Sequence, residues 1–149
     1  MESFVQATSV CMDGVGVLIM GKSGSGKSMM ALALIEQGAC LIADDVTYIK
    51  EENGVLYAYP DEKMKGCIEA RGIGILTGLK SCDQKVKIAY GIELVDGDIE
   101  RLPQEQTFGE YLGCRIPVFK MNTNEKYLPT LVKIAGKIVL KRISLLSVD

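Results

Sequence analysis

Apolar positions in this chain fall into short bounded runs and settle into a helical stripe only near the C-terminus. Residues 5–12 are rich in β-branched and small side chains and end at Asp13-Gly14, a turn signal, which predicts a strand running into a tight connection. Residues 15–20 form a continuous apolar run closed by glycine, the pattern of a central strand buried on both faces. That run feeds directly into Gly-Lys-Ser-Gly-Ser-Gly-Lys-Ser. Residues 28–37 are mostly strong helix formers, contain no proline or glycine, and stop at Gly38, so they predict a helix. Residues 39–43 are apolar again and end in Asp44-Asp45, so strand, loop, helix and strand follow one another as a βαβ unit.

Beyond this unit the signal turns antiparallel. Residues 46–50 and 55–59 flank Glu51-Glu52-Asn53-Gly54, where Asn-Gly supplies the positive φ angles of a hairpin turn, and an exposed hairpin is predicted. Further strands are predicted over residues 67–70, 73–76, 86–94 and 116–121, which makes the sheet mixed rather than purely parallel. Residues 100–113 are polar and aperiodic and predict a surface loop. Residues 128–143 carry Leu128, Leu131, Val132, Ala135, Ile138 and Val139 at helical spacing, with Lys133, Lys137 and Lys141 on another face. The expected architecture is therefore α/β, a mixed central sheet with flanking helices and a C-terminal amphipathic helix that starts near Pro129.

Composition narrows the class. A chain of 149 residues is long enough to bury one core and short for two, so residues 1–149 are expected to form a single domain. Hydrophobic residues at 48% and charged ones at 24% are ordinary soluble-domain usage and argue against disorder. A net charge of −2, with both signs interleaved, lacks the basic footprint that a nucleic-acid backbone requires, so no nucleic-acid partner is expected. No apolar run reaches the roughly 18 residues of a spanning helix. Together with the absence of a leader pattern at the N-terminus, this predicts a cytoplasmic protein with no membrane partner. The 5 cysteines show no CxxC spacing and there is no histidine, which predicts reduced thiols rather than a zinc site. Without imidazole, any proton transfer falls to carboxylate, lysine, tyrosine or water.

The sharpest chemistry lies at residues 21–28. Gly21, Lys22, Ser23, Gly24, Ser25, Gly26, Lys27 and Ser28 match GxxxxGK[ST], the phosphate-binding P-loop, between a buried-strand signal and a strong helix. The glycines let successive N–H groups turn into one concavity at a helix start, where open donors and the helix dipole favour an anion. Lys27 offers charge to the β and γ phosphates of a nucleoside triphosphate, and the Ser28 hydroxyl offers an oxygen to Mg²⁺.

Acids frame this loop. A helix of about eleven residues and a return strand of about five each span about 16 Å, so Asp44 and Asp45 are expected back at the carboxyl end of a strand neighbouring the loop. Two readings stand for the pair: one acid acts through Mg²⁺ while the other accepts a proton from an attacking hydroxyl, or both are solvated residues opening a turn. Glu69-Ala70-Arg71-Gly72 carries an acid and a base on one face if extended. That pair is either a surface ion pair or a metal ligand, Glu69, beside a phosphoryl-binding Arg71.

The linked segments ATSV, GVGVLIMGKSGSGKS, GACLIADD and IEARGIGIL resemble, in order and spacing, the catalytic domain of HPr kinase/phosphorylase, in its short C-terminal form. The resemblance covers roughly residues 6–75, and afterwards only IPVF is similar. It implies an enzyme that phosphorylates a serine of the phosphocarrier HPr with ATP or pyrophosphate, requires Mg²⁺, and reverses the transfer with inorganic phosphate. It implies Lys27 on the phosphates, Ser28 and Glu69 at the metal, Asp44 as proton acceptor, Arg71 in a signature segment, and homo-oligomers such as hexamers or trimers. Gln6 stands where the family carries histidine, and Met29 where it carries an acid. Two other readings remain beside it: a nucleotide-binding regulatory module without turnover, and a small-molecule kinase or NTPase.

Overall fold

The computed structural model describes residues 2–97, 99 and 105–146. In chain order it runs β1 (Glu2–Val5), β2 (Thr8–Met12), β3 (Val15–Gly21), α1 (Lys27–Glu36), β4 (Cys40–Ala43), β5 (Thr47–Glu52) and β6 (Val55–Tyr59). There follow β7 (Ile68–Ala70), β8 (Gly74–Leu76), β9 (Val86–Val95), β10 (Thr107–Tyr111), β11 (Cys114–Asn122) and α2 (Leu128–Val139). Strands β1-β5-β6-β9-β3-β2-β4 form one mixed sheet in that order, β11 and β10 extend it from β9, and β7 and β8 make a separate pair. The sheet forks at β9. One edge of β9 runs parallel to β3, while its other edge takes β6 antiparallel at its start and β11 parallel at its end.

This forked, curled sheet explains the continuous apolar run of β3. Val17 and Ile19 enter a cluster shared with Ala31 and Leu34 of α1 and Val132 of α2. Leu18, on the opposite face, enters a second cluster with Ile49, Leu56, Ile88 and Ile116, to which strands and their connections contribute and neither helix does. Both helices thus cover one face, and the sheet covers the other by folding over itself. The close fit of α2 depends on Gly136: a Cβ there would lie 2.7 Å from the Tyr90 hydroxyl, which donates to the Val132 carbonyl at 3.0 Å. No helix among the described residues is long and apolar enough to cross a membrane. All five cysteines are free thiols.

Several expected boundaries move, each for a physical reason. The strand expected over residues 5–12 is two strands, because the chain leaves β5 at Val5 and joins β3 from Thr8 onward. The hairpin of β5 and β6 forms as expected, with Asn53 and Gly54 at φ 53° and 79°, but its inward side chains Ile49, Leu56 and Ala58 are buried. Of the loop expected over residues 100–113, residues 100–104 lie outside the described residues, and Thr107–Tyr111 is an edge strand paired with β11. Its exposed, non-alternating side chains hid it. The C-terminal helix ends at Val139 rather than near residue 143, since Lys141 turns left-handed at φ 60° while Lys141 and Arg142 amides bond back to the Ile138 and Lys137 carbonyls.

Candidate functional site

A buried strand followed by glycine and then strong helix formers gives a strand, a glycine-rich link and a helix. Here the link is residues 22–26, between Gly21 at the end of β3 and Lys27 at the start of α1. Gly26 takes the N-cap position at φ 96°, a left-handed conformation that a side chain would strain. No side chain caps α1 and no acid stands in its first turn, so the leading amides of the helix keep the orphan donors of an open N-terminus. Lys27 folds back over the link, its Nζ donating to the Gly21 carbonyl at 2.7 Å. Ser25 Nα–H donates to the Lys22 carbonyl at 3.0 Å, but Ser25 Oγ is buried without a partner, alone in this among the described side chains. Lys22, Ser23 and Gly24 are exposed.

Opposite the link stands Asp44. Its Oδ1 accepts from Ser28 Oγ at 2.7 Å and from Thr8 Oγ1 at 2.9 Å, and its Oδ2 receives only a long contact, 3.4 Å, from the Glu69 amide. The Val46 amide bonds the Asp44 carbonyl at 2.8 Å with Asp45 between them at φ 68°, a three-residue turn of the strained hand. The Asp45 amide donates to Thr8 Oγ1 at 3.2 Å while the Asp45 side chain is exposed. Strain of this kind costs of order 1–3 kcal/mol and persists where surrounding bonds over-determine it.

The route by which Asp44 arrives differs from expectation. Strand β4 does not neighbour β3, because the β2–β3 hairpin fills that edge and β4 pairs with the far side of β2, antiparallel. It still runs parallel to β3, and the matched lengths of α1 and β4 still return Asp44 to the helix start. Glu69 and Arg71 do not share a strand face: β7 ends at Ala70, Arg71 opens a turn closed by the Ile73 amide on the Ala70 carbonyl at 3.0 Å, and no ion pair joins the two side chains. Arg71 lies instead against the link. A Cβ built on Gly24 would sit 3.9 Å from its Nη2.

Thr8 is the site residue that the sequence pattern missed. The available signal was a run of hydroxyl residues, Thr8 and Ser9, in a strand whose neighbours are fully buried. Among the described residues no three His, Cys, Asp or Glu side chains converge as a ready metal cage. The donors that do gather, Ser28 Oγ and the Asp44 carboxylate, are hard oxygens, the type that suits Mg²⁺ when phosphate oxygens and water complete its shell.

A curled mixed sheet with two helices on one face is also the fold of the Hpr(Ser) kinase/phosphatase from Coxiella burnetii, which matches with a TM-score of 0.80 and 29% identity over 94% of this chain and 98% of that one. The chain belongs to the family described as the HPr serine kinase C-terminal domain, whose model matches residues 2–142. It is 37% identical over 129 residues to a HPr kinase/phosphorylase of Clostridium botulinum and 35% identical over 135 residues to one of Geobacter sulfurreducens. These alignments take in 80% and 83% of this chain, which spans 42% of the length of each relative.

Proposed function

We propose that this domain transfers a phosphoryl group from Mg-ATP to a serine hydroxyl of the phosphocarrier HPr. The observation that carries the reading is the 2.7 Å bond from Ser28 to Asp44, which sets the open helix start and a carboxylate at one place. The P-loop, residues 21–28, would hold the β and γ phosphates on its amides, with Lys27 leaving the Gly21 carbonyl for them and Arg71, beside Gly24, meeting the transferred group. Ser28 Oγ, already on Asp44, would supply a hard oxygen donor for Mg²⁺, with the exposed Glu69 and Asp45 carboxylates turning in to complete it, and the ion would neutralise charge on the phosphate oxygens. Ser28, which donates its proton to Asp44, would keep a lone pair for that ion.

In the forward step the serine oxygen bonds to the γ phosphorus, the bond from that phosphorus to the β–γ bridging oxygen breaks, and ADP leaves. The serine proton passes to Asp44 Oδ2, the oxygen with spare acceptor capacity. In reverse, Asp44 returns that proton to the serine oxygen as inorganic phosphate takes the phosphoryl group and becomes pyrophosphate, the alternative donor of the forward direction. The same reading takes the chain as one cytoplasmic domain that self-associates as a trimer or hexamer; the exposed Tyr127, at the N-cap of α2, and Leu131 on the helix offer apolar surface for self-association. The test is incubation of the purified chain with Mg-ATP and HPr, read by mass spectrometry. Phosphate on an HPr serine is the expected result, and its absence under varied nucleotide and pyrophosphate supply overturns the reading. Gln6, exposed between β1 and β2 and unable to carry a proton, favours one other outcome: nucleotide binding without transfer.

A further inference from the structure

A carboxylate that takes a proton in flight works only if one oxygen is held and the other is free at a fixed angle, because misplacement by about 1 Å can cost about 10²-fold in rate. Asp44 meets the first condition through two hydroxyls on Oδ1, and only one of them, Ser28, belongs to the sequence motif. The other, Thr8, is fully buried on β2, 36 residues away. Its neighbours Ser9 and Thr47 bond each other at 2.8 Å, and Thr47 donates to the Ala7 carbonyl at 2.9 Å, which satisfies them within the sheet. Thr8 alone spends its hydroxyl on the acidic turn, donating to Asp44 Oδ1 and accepting from the Asp45 amide at 3.2 Å.

Its place in the ladder explains how. Strands β2 and β4 pair from Cys11 opposite Cys40 to Ser9 opposite Ala43, with a register shift between Ser9 and Val10. One step further along an antiparallel pair, Thr8 would face Asp44. The backbone ladder stops there, and the threonine side chain supplies both halves of the missing contact, an acceptor for one amide and a donor for the carboxylate. We propose that Thr8 is a positioning residue for phosphoryl transfer: its hydroxyl pins the left-handed Asp45 turn and fixes Asp44 Oδ1, so that Oδ2 faces the incoming serine. This rests on the reading of Asp44 as proton acceptor. Ser28 does not replace it: Ser28 reaches only the carboxylate, and the Asp45 amide bonds Thr8.

The experiment uses the full chain with Mg-ATP and HPr and compares Thr8→Val, which keeps shape and removes the hydroxyl, with Thr8→Ser, which keeps the hydroxyl. For Thr8→Val kcat is expected to fall about 10- to 100-fold, with the KM for nucleotide within about twofold, the signature of an interaction used in the transition state. Thr8→Ser is expected to recover most of the rate. Hydrogen exchange at the Asp45 amide is expected to accelerate in Thr8→Val and not in Thr8→Ser. A Thr8→Val protein with the parent kcat, or a Thr8→Ser protein impaired as far as Thr8→Val, overturns the proposal. Failure of the readings beneath it looks different: without the function the parent chain itself transfers no phosphate to HPr, and without the acceptor role Asp44→Asn transfers it as fast as the parent, whatever Thr8 does.

Discussion

Two stretches of backbone face each other across the site, and they are held in opposite ways. The glycine-rich link, residues 22–26, is exposed, crosses left-handed backbone at Gly24 and Gly26, and is tied down chiefly by Lys27 on the Gly21 carbonyl. The Asp44 turn is tied by Ser28 and Thr8 to the carboxylate, by Thr8 to the next amide and by Val46 to the carbonyl. The difference separates two jobs. A group that must present one atom at one angle is over-determined before anything binds, whereas a segment that must close around a ligand keeps its donors open and its lysine on a bond that a stronger anion can displace.

The largest expected effect breaks the rigid side. Asp44→Asn keeps the shape and the acceptor for Thr8 and Ser28 but cannot take a proton. On the proposed chemistry kcat falls by about 10² to 10⁴, the usual range for general base catalysis, while binding of a fluorescent ATP analogue persists. A variant with undiminished transfer would make Asp44 a structural clamp. The loose side should respond in the other parameter. Lys27→Ala removes charge-assisted contacts of about 1.5–3 kcal/mol, so nucleotide affinity drops about 10- to 100-fold by titration. The melting temperature should barely move, since the lysine bonds only one partly exposed carbonyl. A large loss of stability with intact affinity would reverse that assignment.

A smaller effect separates backbone strain from crowding. At Gly26 a Cβ meets nothing within 4 Å, so Gly26→Ala costs only the left-handed backbone, about 1–2 kcal/mol, visible in denaturant unfolding. If Gly26→Ala is neutral, the N-cap has relaxed to another conformation and the link is looser still. Helix α2 offers the contrasting glycine, ordinary in backbone but blocked by the Tyr90 hydroxyl.

How legible each side was in the sequence follows from how local its bonds are. Strand β3, the link and α1 are written in one stretch of consecutive residues, as apolar run, glycines and helix formers, so their existence and order could be read to within a residue or two. Asp44 could be placed near the helix start because rise per residue fixes the return distance. Which strand carries it could not, because pairing of β4 with β2 rather than β3 is a choice between edges that look alike in sequence. The fork at β9 was invisible for the same reason, as was the edge strand β10, whose exposed side chains leave no buried face to alternate. Thr8 was the hardest to see, since one hydroxyl among small strand residues acquires meaning only when a partner 36 positions away is folded against it.

The smallest expected effect concerns Ser25, and it tests whether the link is at ease with itself. Its hydroxyl is buried with no partner, and a Cβ on Gly21 would approach it to 2.5 Å, so this oxygen sits in the crease of the link. An unsatisfied buried hydroxyl costs about 1–3 kcal/mol, part of which the truncated side chain recovers while losing little apolar contact. Ser25→Ala is therefore expected to leave the unliganded chain as stable as the parent or more stable by about 1 kcal/mol, measured by chemical denaturation. If it instead destabilises by that amount, Ser25 has a partner in solution, and the link is held more firmly than its single lysine bond implies. The contrast with the Asp44 turn would then narrow to the exposed glycines alone.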